Sequence, residues 1–307
     1  QCISGVLALA LRRARQIVEH AEIATVLSTE ALRGTDEAWD VRLFDARPHP
    51  GNRAVAARLR AMMRDSGIRS SHVGCDRVQD AYSVRCAPVV LGSASAVIER
   101  SRETVEIELN AATGNPLCDP ATGDILSGGN FHGEPVAFAA DFLGIALSEV
   151  GSIAERRMAR LVDPKLSDLP AYLAVKPGLE SGYMIAHYTA AALVSENKVS
   201  SFPASVDSIP TSGNQEDHVS MGFHAARKAR DIANRVEQIV ALELLLAAQG
   251  IEYLRPLESS AAIEGVMSAI RKRIPKLAGD RPVAPDLCTM VEIIRSNELV
   301  EAAGVHD

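Results

Sequence analysis

Apolar residues recur along this chain at intervals of three and four far more often than at every second position. Residues 3–29 carry Ile3, Val6, Leu7, Leu11, Ile17, Val18, Ile23 and Val26, close to the 3.6-residue period of a helix with one buried stripe. The same rhythm predicts helices over 53–65, 89–110, 134–161, 180–198, 258–273 and 284–296. Pro135 suits the first turn of its helix, where the missing N–H costs nothing. The longest pattern starts near Glu216 and ends at Gln249, ahead of Gly250; at 1.5 Å per residue it is roughly 50 Å long. Residues 34–52, 67–76 and the turn-rich 114–124 read as loops. A helix of that length needs partners of similar length to bury its stripe. The pattern therefore predicts an all-α bundle of long antiparallel helices over 1–307 as a single domain, and it favours oligomerisation.

Composition narrows the field. The 307 residues are 47% hydrophobic and 23% charged, enough for a buried core and a soluble surface. The net charge of −7 argues against nucleic acid or an anionic membrane as partner. The longest apolar stretches are broken by Glu or Arg, so no membrane span is predicted. Five scattered cysteines fit a reduced, cytoplasmic compartment. There is no CxxC and no HExxH, so no metal site is predicted. Gln1 is not a methionine, which reads as a chain that is processed, truncated or taken from a longer open reading frame.

Three polar segments interrupt the helices. In Cys75-Asp-Arg-Val-Gln-Asp-Ala-Tyr-Ser-Val-Arg85, Gln79, Tyr82 and Arg85 are spaced by three and would share one side of a helix. A planar guanidinium can grip a carboxylate with two parallel bonds, and a nearby phenol can serve as acid or base. The plainer alternative is an Asp80 salt bridge to Arg85 or Arg77. In Ser127-Gly-Gly-Asn-Phe-His-Gly-Glu-Pro135, adjacent glycines allow close backbone approach, and Phe131 stands among polar neighbours. It would otherwise be a hydrophobic staple on the helix that follows. The third segment, 205–221, ends in the cluster Glu216, Asp217, His218, placed by the periodicity at the start of the longest helix. The helix dipole favours carboxylates there, with or without a catalytic task. His187 and Tyr188 fall in an apolar helix, where core packing is the simpler reading.

In order along the chain, CDRVQDAYS, GNPL, SGGNFHGEPVAFAAD, GSIAERR, SGYMIAHYTAAALVSENK, PASVDSIPTSGNQEDHVSMG and LELLLAAQG closely resemble the histidine ammonia-lyases. The resemblance runs from Gln1 to about Ala303. It implies a mostly helical homotetramer whose active sites are each shared by three subunits. The implied reaction is elimination of ammonia from L-histidine to give trans-urocanate. The implied electrophile is a methylidene-imidazolone formed from an internal Ala-Ser-Gly. By motif, Gln79, Tyr82 and Arg85 resemble the family's active-site Gln, Tyr and carboxylate-binding Arg. Phe131 resembles the aromatic beside the cofactor, and Glu216 the acid that faces the substrate imidazole. Relatives acting on phenylalanine and tyrosine usually read NQD where this chain reads NQED, which implies histidine as substrate.

No Ala-Ser-Gly occurs in the 307 residues. By resemblance the chain corresponds to the C-terminal part of a longer architecture, and the catalytic Tyr, a substrate-facing His and an active-site Asn belong to the part before it. The chain alone is therefore expected to be inactive, with the missing part supplied by another chain or another stretch of the same one. Ala-Pro-Val-Val-Leu at 87–91, Glu180, Gly133 and Gly213 depart from the usual residues without removing a named catalytic group. A fumarase-type lyase would need a GSSxMPxKxNP loop, which is absent. An inert structural subunit would have no reason to keep Gln79, Tyr82, Arg85, Phe131 and Glu216 together.

Overall fold

In the computed structural model, residues 1–76 and 78–304 are described. Among them the helices are α1 (Cys2–Ala31), α2 (Val41–Ala46), α3 (Pro50–Met62), α4 (Gly67–Ser70), α5 (Tyr82–Arg85) and α6 (Ala87–Leu109). They continue with α7 (Glu134–Val162), α8 (Pro164–Ser167), α9 (Met184–Ser200) and α10 (Gly222–Glu252). The last are α11 (Ala261–Arg273), α12 (Ala284–Ser296) and α13 (Glu298–Ala303). A two-stranded antiparallel hairpin, β1 (Leu117–Cys118) and β2 (Ile125–Leu126), fills the turn-rich stretch. The fold is all-α, as the periodicity predicts.

The bundle is built from α1, α6, α7 and α10, with α9 laid across α7 and α10. The C-terminal halves of α1 and α10 are buried on every side: each residue from His20 to Leu32 and from Ile239 to Ile251 is buried. These halves are the centre of the bundle, and an all-round apolar helix belongs there. Packing shows the helix directions. A methyl placed on Gly222, at the start of α10, would meet Ile3 of α1 and Ala137 of α7. One placed on Gly250, near its end, would meet Ala31 at 2.8 Å and then Leu161. Thus α1, α7 and α10 run the same way, so within one copy these three do not form the antiparallel arrangement that the pattern predicts. Ser101 of α6 donates to the carbonyl of Ala139, while α6 begins beside α5 near the far end of α7, so α6 is antiparallel to the other three.

Helix α7 qualifies by length and composition as a membrane span, contrary to the sequence reading that no stretch does. In the structure 67% of its apolar window is buried against other helices, which makes it a core helix. Its far half carries the buried Arg157. That guanidinium pairs with Glu243 of α10, both side chains being wholly inaccessible. Ser28 of α1 donates to the same carboxylate at 2.7 Å, and Arg157 Nη1 donates to the Ser83 carbonyl of α5 at 3.2 Å. Four elements thus share one buried polar knot with its groups satisfied, the condition under which buried charge is tolerated.

Some boundaries differ from the sequence reading. Residues 34–52 are not one loop: Asp40 accepts from the Arg42 N–H to cap α2, and Pro50 opens α3. Residues 180–183 are not helical, because Asp280 accepts from the main-chain N–H groups of Ser181 and Gly182, both at 2.8 Å, and holds them ahead of α9. The longest helix starts at Gly222 rather than near Glu216, with Met221 in the left-handed region at φ 51°.

Candidate functional site

The first candidate cluster lies on α5 and on the irregular residues 78–81 before it. Only Tyr82–Arg85 is helical, so Gln79 does not share a helix face with the other two, contrary to the spacing argument. Arg85 Nε donates to the Asp80 main-chain carbonyl at 2.8 Å, and its guanidinium carbon sits 4.9 Å from the centre of the Tyr82 ring. Neither Nη atom of Arg85 has a hydrogen-bond partner among the described residues. Those are the two donors that a carboxylate would use. The Asp80 carboxylate accepts from the Thr35 N–H at 2.7 Å, which ties the segment to the end of α1. The alternative partner Arg77 lies outside the described residues. Gln79 and Tyr82 are exposed, Tyr82 to 72%.

The second cluster gathers at the start of α7. Phe131 is 58% exposed and so does not staple the helix. The neighbouring His132 stacks on His218, with ring centroids 5.5 Å apart and planes within 4°. The Phe131 turn and the Glu216 loop therefore touch. Glu216 is not at a helix N-terminus: it sits in the loop ahead of α10, pairs with Thr211 through the backbone, and accepts from the Thr211 hydroxyl at 2.5 Å. The helix-dipole argument for its ionisation does not apply to the position it occupies.

This loop is anchored by residues that the motif reading passed over. Asp141 of α7, 5% exposed, accepts through Oδ2 from the N–H groups of Ala204 and Ser205 at 2.8 and 2.7 Å. Its Oδ1 lies 3.2 Å from Lys228 Nζ of α10, and Lys228 also donates to the Phe202 carbonyl. Further along, the Ser208 hydroxyl accepts from the Val219 N–H at 2.9 Å and closes the loop on itself. Asp141 belongs to the quoted GEPVAFAAD run, so the sequence signal was a lone acid on an otherwise apolar helix face. His187 and Tyr188 part company: His187 Nε2 meets Glu155 Oε1 at 2.7 Å, whereas Tyr188 is 58% exposed and not in the core. Burial pushes the Glu155 carboxyl up, but bonds from His187 and Arg156 outweigh it and hold it below the usual range.

The two clusters are at opposite ends of α7. The α5 segment docks on Arg157, while the His132–His218 contact, which joins the Phe131 turn to the Glu216 loop, is at Glu134. The helix between those residues is about 35 Å long. One copy of the chain therefore cannot bring Tyr82 and Arg85 to the same small substrate as Phe131 and Glu216.

Residues 1–272 match the aromatic amino acid lyase family. The chain is 47% identical over 302 residues to a histidine ammonia-lyase of Symbiobacterium thermophilum, covering 98% of this chain and 59% of that protein. It is similar to the crystal structure of histidine ammonia-lyase from Trypanosoma cruzi, at 46% identity and a TM-score of 0.91 over 98% of this chain and 57% of the other. A tyrosine aminomutase from Streptomyces globisporus has the same TM-score at 36% identity, over 98% and 61% of the two chains. The chain thus spans less than two thirds of the length of these relatives.

Proposed function

The chain belongs to the aromatic amino acid lyase family, and from that premise we propose that it serves the elimination of ammonia from L-histidine to trans-urocanate, inside an assembly of several copies. The observation that carries the substrate is Glu216, held in a polar loop beside two histidines, in a chain more similar to histidine lyases than to a tyrosine aminomutase. Arg85 holds the substrate carboxylate through its two Nη donors, with Gln79 and Tyr82 alongside. Phe131 lines the site, and Glu216 accepts a hydrogen bond or a proton from the imidazole.

The assembly is supported by the separation of the two clusters along α7 and by a broad apolar face. Phe138, Phe142 and Ile145 recur at helical spacing on α7 with 45–57% exposure, and Ile185 and Tyr188 of α9 are each 58% exposed. Exposed apolar residues recurring in this way on two helices that pack together support a protein interface. A homotetramer with sites shared between subunits, in the cytoplasm, is the form we propose.

Methylidene-imidazolone supplies the electrophile in this chemistry. Its residues do not come from this chain: the Ser-Gly pairs at 4–5, 66–67, 127–128, 181–182 and 212–213 follow Ile, Asp, Leu, Glu and Thr, never Ala. The group therefore has to be provided by polypeptide beyond these 307 residues, and the chain alone should not turn over histidine.

The test is to coexpress the chain with a family segment carrying Ala-Ser-Gly and follow urocanate absorbance. Expected are histidine turnover that needs both parts and a histidine-to-phenylalanine specificity ratio that narrows in Glu216→Gln. The carboxylate offers an imidazole N–H a partner and leaves a phenyl ring facing a desolvated charge, so both effects favour histidine. A ratio unchanged by Glu216→Gln would defeat the substrate assignment.

A further inference from the structure

The stacked pair His132 and His218 has a third neighbour. Glu134, the first residue of α7, completes a set in which one donor atom from each residue lies within 4.8 Å of the others. The set draws on two separate loops, so it has no short motif spacing, and the sequence reading that no metal site exists rested on such spacing alone. Two further observations point at a ligand. His132 Nε2 and Glu134 Oε2 are inaccessible atoms with no hydrogen-bond partner among the described residues. The ion pair between His132 Nδ1 and Glu134 Oε2 is long, at 3.9 Å, and satisfies neither side. Ring stacking accounts for the parallel planes but not for unsatisfied nitrogen and oxygen.

We propose that His132, Glu134 and His218 bind a divalent transition cation of the zinc type. Two imidazoles and one carboxylate are the donor set that suits such an ion, and three protein ligands leave a coordination position open. Tetrahedral ligation at about 2.0–2.2 Å puts ligand atoms roughly 3.4 Å apart. The cluster is wider than that, and His218, which is exposed, is the member free to swing inward. Both loops are otherwise held: the His132 N–H donates to the Gly129 carbonyl at 2.9 Å, and Val219, next to His218, is tied to Ser208. The positive end of the α7 dipole opposes a cation at this place. The Glu134 carboxylate sits at that end and supplies the opposing charge. A bound ion would pin the Phe131 turn to the Glu216 loop.

The test uses the full chain with its exposed thiols, Cys2, Cys75, Cys118 and Cys288, alkylated so that thiolate does not compete. Zn²⁺ is titrated calorimetrically, and Co²⁺ is added as a spectroscopic probe of ligand type. One equivalent is expected to bind through nitrogen and oxygen ligands. Loss of an outer-shell partner alone weakens metal sites about 10- to 100-fold, so His218→Ala should weaken binding by at least that much. His218 is exposed, so its removal should leave the helical circular dichroism intact. Glu134→Gln should act in the same direction, and His224→Ala, an exposed histidine outside the cluster, should not. Wild-type affinity and stoichiometry in His218→Ala, or an equal loss in His224→Ala, would overturn the assignment.

Discussion

Arg157 donates from Nη1 to the main-chain carbonyl of Ser83 at 3.2 Å, from a position with no solvent exposure. That bond fixes the α5 turn, and with it Tyr82 and Arg85, to the core of the bundle. The same guanidinium neutralises Glu243. Arg157→Met should strand that carboxylate among apolar residues and cost about 3–5 kcal/mol in urea unfolding of the chain. Arg157→Met/Glu243→Leu should recover most of the loss, since neither charge is then left alone. A double variant no more stable than the single one would contradict this account of the pair.

Arg85 has its Nε committed to the Asp80 carbonyl, which orients the fork of its two Nη atoms. A lysine cannot make both the anchoring bond and a two-pronged grip. In the reconstituted enzyme Arg85→Lys should lower kcat/KM for histidine by about 2–4 kcal/mol, on the order of 30- to 1000-fold. Near-normal steady-state kinetics in the lysine variant would remove Arg85 from the carboxylate site.

The loop bearing Glu216 depends on Asp141, which takes two main-chain N–H groups and faces Lys228. Asp141→Asn removes the charge from those bonds and leaves Lys228 unmatched. Bonds to a charged acceptor contribute about 1.5–3 kcal/mol, so amides of residues 203–221 should exchange roughly 10- to 150-fold faster. The helices around them should keep their protection. Unchanged exchange in that segment would show the anchor to be elsewhere.

Two buried groups pull the pH dependence of stability in opposite directions. Burial raises the Glu30 carboxyl to about 7, against the bond from Ser66 and the charge of Arg69, with Glu264 adding to the rise. Between about 4.5 and 7 the native state keeps a proton that the unfolded chain has lost, so Glu30 makes stability fall as pH rises through that window. Burial lowers His20 to about 4, so His20 makes stability fall as pH drops from 6.5 towards 4. The two largely offset each other. Glu30→Gln should unmask the histidine: relative to wild type it should gain about 3 kcal/mol between pH 4.5 and pH 7. Urea midpoints measured at pH 5 and pH 7.5 check this, and a difference between variant and wild type that is constant with pH would refute it.

The long helices were legible because their stripes bury against one another; Ala284–Ser296 and the start at Glu134 fall where the apolar period and the proline place them. The start of α10 was not legible. Glu216 to Val219 continue a helical rhythm, but Thr211 captures Glu216 and Ser208 captures the Val219 N–H, and these bonds across the loop outweigh helix propensity. Pro50 was a readable signal for α3 that the count of Asp, Pro and Gly over 34–52 obscured. Of the site, Tyr82 and Arg85 could be paired from spacing, whereas Gln79 could not, since it lies before the helix. The stack of His132 on His218 joins residues distant in sequence, and nothing in one sequence announces it.

The length of α7 between its two clusters has a genetic consequence. If each reaction centre borrows its carboxylate grip from one copy and its imidazole acceptor from another, damage to either end is not confined to the copy that carries it. Arg85→Ala chains and Glu216→Gln chains, each defective when pure, would form mixed oligomers in which some centres draw only intact halves. Coassembly of the two defective alleles should then restore a fraction of the activity set by chance pairing. Two defects placed in the same copy should restore nothing beyond what added wild-type chains provide.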